Sequence, residues 1–397
     1  MLLAAASPAC DRQAADRGSN ALAPPVAPQP NELDRLRALG YVDFADEIVD
    51  PEESVVPVYD PVRSAPGFNL FVSRSLGRAE LIDPGGRVIR AWQNRLSTNW
   101  SNAELTQDGD LLVQGLYLGR SHLFRMSWDG QVIWKRAVGA HHDVEVRPDG
   151  LLAALVQRGR RIPRIDPESV TLDNGIALLR PDGQLLREYS LYDMLSAAPD
   201  VFVFQRVASS KRKVDLFHSN SIEFMRHSDL EARHAIYAAH NAIVSIRHQD
   251  AIAIFDLEAE KVVWTWGQGE ISGPHDATVL ESGNILLFDN GLGRGWSRVI
   301  ELDPLAKTIV WEYRAPNPTD FYTAGRGSNQ RLPNGNTLIA NSDRGEAFEV
   351  TREGEVVWRF LNPNSNRRGQ RATIVRTKRY SEAFIAEAER RAARGSE

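Results

Sequence analysis

Three of the nine histidines in this 397-residue chain open segments that can be aligned with one another. Where a polar turn leads into an apolar strand, counting back eight positions from the turn glycine leads from Gly150 to His142 and from Gly283 to His275. The same count leads from Gly109 to Ser101 and from Gly335 to Gly327. The run HSNSIEF (218–224) lacks the glycine but opens its segment in the same way, which places His218 at the same level. Imidazoles gathered at one level can serve as nucleophile, as proton carriers, or as a three-histidine zinc set completed by water. A lone histidine is more often a hydrogen-bonded structural residue; three in register argue for a site. Arg247 ends the strand AIVSI (242–246) near that level. A guanidinium beside imidazoles repels a dication and grips an oxyanion through paired N–H donors, so the expected guest is an anionic group.

Positioning such residues requires a repeated scaffold, and the repeat is visible from Phe68 onward. One half-signature is a turn followed by β-branched residues and often Trp, as in DPGGRVIRAW (83–92), DGQVIWKR (129–136), LEAEKVVWTW (257–266) and REGEVVWRF (352–360). The other half is TQDGDLLV (106–113), RPDGLLAAL (147–155), LESGNILLF (280–288) and LPNGNTLIA (332–340). The halves alternate, and each reads as a hairpin with Asp-Gly or Asn-Gly turn chemistry. Trp-to-Trp intervals of 42, 47 and 47 residues, with about four short strands per unit, are those of a propeller blade. The fold class expected is all-β: a six-bladed β-propeller over 67–375, with insertions around 190–217 and 225–235. A short helical or irregular segment (31–66) precedes it and a C-terminal helix (376–397) follows.

With 42% apolar and 25% charged residues and a net charge of −5, the chain has no concentrated basic surface for nucleic acid. Cys10 is the single cysteine, so no intramolecular disulfide forms. It follows MLLAAASPA, an apolar stretch ending in small residues, and precedes a Pro/Ala-rich linker (11–30). This reads as the tail of a lipoprotein signal, which would place the chain in the periplasm or envelope with Cys10 acylated.

The run HSNSI…IVSIRHQDAIAIFDLEAEKVVWTWG, then GPHDATVLESGNILLFDNG and SRVIELD, resembles the bacterial aryl-sulfate sulfotransferases. The likeness extends from about Phe68 to Tyr380, including the closing TIVRTKRYSEAF. It implies that His275 is a nucleophile that becomes transiently sulfated, that His218 and Arg247 hold the sulfuryl oxygens, and that His142 completes the pocket. Asn220, Asp276 and Asn329 are the accompanying candidates for substrate contact; Asp276 would either orient an imidazole through Nδ1 or serve as a turn residue. The substrates implied are a phenolic sulfate ester as donor and a phenol as acceptor, with neither a phosphoadenosine cofactor nor a metal. Two rivals stay open at this point. One is a propeller that only binds anionic or aromatic ligands, the other a metal-dependent hydrolase or lyase built on His142, His218 and His275.

Overall fold

In the computed structural model, residues 42–394 are described apart from 95, 98, 148, 226 and 227. Cys10, the linker and the first part of the 31–66 segment, through residue 41, lie outside the described residues.

Six sheets of at least four strands, antiparallel apart from one short parallel pairing of Val170–Thr171 with Lys213–Val214, surround one axis. Their innermost strands are Thr377–Tyr380, Trp100–Leu105, Ala140–Val146, Ser219–Phe224, His275–Val279 and Ser328–Arg331. The first belongs to blade 1, where the C-terminal strand pairs with Phe68–Ser73 and closes the ring. The propeller therefore runs to Tyr380, past the boundary expected at 375, and the terminal helix is confined to Glu382–Arg394. Sequence periodicity could not assign this strand, because its partner is more than 300 residues away. The 31–66 segment also differs from expectation: Phe44–Ile48 pairs with Gln370–Ala372, and Val58–Tyr59 adds an outer strand to blade 6.

The recurrent tryptophans explain how blades are spaced. Each lies on the fourth strand of its blade counted from the axis, and its indole N–H donates to a turn carbonyl of the next blade. The pairs are Trp92 to Trp128 O (2.9 Å), Trp134 to Pro181 O (3.2 Å), Trp264 to Pro304 O (3.0 Å) and Trp311 to Arg352 O (2.8 Å). Trp358 to Pro84 O (2.8 Å) makes the same link from blade 6 to blade 1. An amphipathic ring suits this place, since its body packs between sheets while its one polar group finds an acceptor. Blade 3 carries Tyr189 on the corresponding strand, which accounts for the gap in the tryptophan series.

Candidate active site

The inner strands present their residues in layers. The N–H groups of Thr106, Arg147, Met225, Leu280 and Leu332 close the first hairpin of blades 2 to 6. Five positions before these stand Ser101, His142, Asn220, His275 and Gly327, and all five, with Val375 of blade 1, line one cavity of about 260 Å³. Four positions before stand Asn102, Asp143, Ser221, Asp276 and Ser328. Adjacent residues of a regular strand face opposite ways, but the register of these strands shifts at Ser101, between Ala140 and Val144, at Asn220 and beside His275. Such bulges re-aim side chains, so consecutive residues can serve the axis.

His142 and His275 therefore occupy one layer, as expected. His218 does not: it stands two residues further from the hairpin turn, and Asn220 takes its level. A left-handed backbone at His218 (φ 47°) accompanies this offset. Its ring lies 5.0 Å from that of His142 and 4.7 Å from that of His248, so the histidines still meet in the cup.

His275 is held in one tautomer. Its Nδ1 lies 2.7 Å from Asn290 Oδ1 and 3.0 Å from Gly273 O. Both are acceptors, so Nδ1 carries the hydrogen and Nε2 keeps the lone pair. The Asn290 amide is itself fixed, because its Nδ2 donates to Thr323 O (2.7 Å) and Arg326 O (2.5 Å). Burial, and next the charge of Arg247, push the His275 pKa down to about 3. The imidazole is thus neutral throughout the neutral range. Asn290→Asp would put a carboxylate against Nδ1–H and stabilise the imidazolium, raising that pKa. Expected outcome: followed by NMR, the His275 imidazole stays neutral in the wild type between pH 5 and 8, whereas in the variant it takes up a proton as pH falls through that range. Superimposable titration profiles would refute the assignment.

Arg247 begins a 3-10 turn, Arg247–Gln249, and is buried. Its Nη1 donates to His248 Nε2 (2.8 Å) and its Nη2 to Ala324 O (3.3 Å), while its Nε is a buried donor without a partner among the described residues. Burial pulls its pKa down to about 10, which leaves it cationic. Neither it nor its partner His248 lines the cavity wall, but it is near enough for its charge to act on His275.

Asp276 does not orient an imidazole. Its carboxylate accepts from the Asn329 N–H (2.7 Å) and from Arg376 Nη2 (2.5 Å). Asn329 steadies Asp276 from below, its Nδ2 donating to Asp276 O (2.9 Å), and it lines a second cavity of about 200 Å³ rather than the histidine cup. Asn220 lines the cup and donates to Pro274 O (2.8 Å), which steadies the residue before His275. Sequence reasoning missed Arg376. It also bonds Asp143 at 2.6 and 3.1 Å, and this buried carboxylate–guanidinium–carboxylate bridge separates the two cavities. Asn290 and Asp215 were missed as well; the FDNG run contained Asn290, but nothing in its spacing indicated an imidazole partner.

The three-histidine metal set does not form. Among the described residues, the His/Cys/Asp/Glu group whose donor atoms lie within 4.8 Å of one another is Asp215, His218 and His248. That set suits a cation poorly. His248 Nδ1–H donates to Asp215 O (2.6 Å), its Nε2 accepts from Arg247, and the guanidinium adds repulsion.

Comparison with known proteins agrees with this architecture. The fold is shared, at 14% identity and a TM-score of 0.52, with a protein of unknown function from Bacteroides caccae, over 79% of this chain and 98% of that one. A streptogramin B lyase structure aligns at 11% identity and a TM-score of 0.47, over 85% and 97% of the two chains. No curated protein matches the chain significantly. The family model described as Arylsulfotransferase (ASST) matches residues 103–363, about two thirds of the chain, spanning His142, His218, Arg247 and His275. The chain belongs to the arylsulfotransferase family.

Proposed function

We propose that the protein moves a sulfuryl group from a phenolic sulfate ester to a phenolic acceptor through a sulfohistidine at His275. The observation that carries this reading is the neutral, single-tautomer imidazole of His275, its Nδ1–H engaged by Asn290 and Gly273 and the ring lining the cup. In the first half-reaction Nε2 attacks sulfur. The N–S bond forms, the S–O(aryl) bond breaks, and the electron pair leaves with the phenolate. In the second, the acceptor oxygen attacks the same sulfur, its proton departs, and the N–S pair returns to Nε2. Splitting one displacement into two is what covalent catalysis offers. Charge on the sulfuryl oxygens is offset by the field of the cationic Arg247, which stands outside the cavity lining.

The test is a chromogenic aryl sulfate offered with and without an added phenol. Donor phenol release that depends on the acceptor, together with parallel lines in initial-rate plots, supports the ping-pong route. Binding without turnover across a broad panel of aryl sulfates would favour a ligand-binding propeller instead.

A further inference from the structure

The insertion at 190–217 serves the cup directly. It begins with a helix, Leu191–Ser196, whose N-cap is Ser190, and then crosses behind blade 4. Gln249, in the same turn as Arg247, pins it there: Gln249 Oε1 accepts from the Gln205 N–H (2.7 Å), and its Nε2 donates to Leu216 O (2.8 Å). The segment so held delivers Asp215 to the cavity wall. Asp215 Oδ2 lies 2.5 Å from His218 Nδ1, and Asp215 O takes the hydrogen of His248 Nδ1.

The pairing is a short, part-buried imidazole–carboxylate hydrogen bond. Burial by itself would raise the Asp215 carboxyl, yet the charge of His218, their hydrogen bond and then His248 hold it well below the usual carboxylate range. With Nδ1–H directed at a carboxylate, His218 has Nε2 as its outward nitrogen, on a ring beside His142 within the cup. The left-handed backbone of His218 is unusual for a residue with a side chain and persists only where surrounding bonds over-determine it.

We propose that Asp215 is a positioning residue for a proton-carrying His218. This rests on the sulfotransferase reading above and adds a step to it. His218 Nε2–H gives its proton to the aryl oxygen as the S–O bond breaks, so that a neutral phenol leaves. In the second half-reaction Nε2 takes the proton of the acceptor phenol as its oxygen bonds to sulfur and the N–S bond breaks. One proton leaves His218 and one returns, so the cycle closes. Asp215 keeps the hydrogen on Nδ1 throughout and stabilises the imidazolium that exists before the first transfer and after the second.

Proton donation matters most where the departing phenolate is most basic, and this separates the proposal from a structural role. The experiment measures kcat/KM for substituted phenyl sulfates, from 4-nitrophenyl to unsubstituted phenyl, in the wild type, Asp215→Asn and Asp215→Glu. Asp215→Asn should lose on the order of 10²-fold on phenyl sulfate and far less on 4-nitrophenyl sulfate, giving a steeper dependence on leaving-group basicity. Asp215→Glu, which keeps a carboxylate, should recover part of the shallow slope and also serves should the asparagine variant not fold. A loss of equal size on every donor, or no loss, overturns the role of Asp215 while leaving the sulfotransferase reading intact. Absence of turnover by the wild type on all donors overturns both.

Discussion

Replacing His275 with alanine should reduce sulfuryl transfer from an aryl sulfate by on the order of 10³- to 10⁶-fold, the range seen when a nucleophile that acts as part of a unit is removed. The size of the loss follows from the geometry. His275 is the imidazole whose Nδ1 is committed to two acceptors and whose pKa, about 3, keeps Nε2 unprotonated. His248 is also neutral, but both its nitrogens are occupied, by Asp215 O and Arg247 Nη1. It has no lone pair with which to replace the missing nucleophile. His142 shares the layer of His275, and burial, then the charge of His218, holds it well below its ordinary value. A residual rate above about a tenth of wild type would therefore shift the nucleophile to His142. Intact-mass spectrometry after brief mixing with donor alone separates the cases: the wild type should gain one SO₃ unit and the variant none. Thermal melting should fall only modestly, because the substitution strands the buried Asn290 Oδ1 but no charged group.

Arg376→Met should have the largest effect on stability, about 3–5 kcal/mol, the usual result of removing one partner from a buried ionic cluster. Arg376 bonds both Asp143 and Asp276, and each carboxylate is almost fully buried. Without the guanidinium, two carboxylates would share the axis unneutralised. Burial already raises the Asp276 carboxyl and the charge of Arg376 opposes that rise, so its loss should drive Asp276 further up. Chemical denaturation gives the measure. Arg376→Met combined with Asp143→Asn should recover part of the loss, since one stranded charge is then gone. An unchanged denaturation midpoint for the single variant would show that the bridge contributes nothing to folding.

What was legible in the sequence is local. Turn glycines, alternating strands and tryptophans at blade spacing are properties of segments a few tens of residues long, and they sufficed for the propeller and its blade count. The register of His142 and His275 was legible too, because both count from the same kind of hairpin turn. His218 was misplaced by two residues for an instructive reason: blade 4 lacks the turn glycine, so its motif head was aligned in place of its ladder. Asp276 adjoins His275 in the chain, which leaves an imidazole partner and a turn role equally open from the sequence; the bulge turns the two side chains to different neighbours.

The tertiary structure alone decided the partnerships. Arg376 meets carboxylates 233 and 100 residues away only because the last strand returns to complete blade 1. Asp215 reaches His218 only because an insertion is pinned by Gln249, and Asn290 reaches His275 only across two strands of blade 5. Strand period and turn chemistry are written within short windows, so the sequence by itself determined the blades and the layer of His142 and His275. Which donor faces which acceptor around the axis depends on ring closure and on bulges that break the alternation of strands, and only the folded chain brings those together.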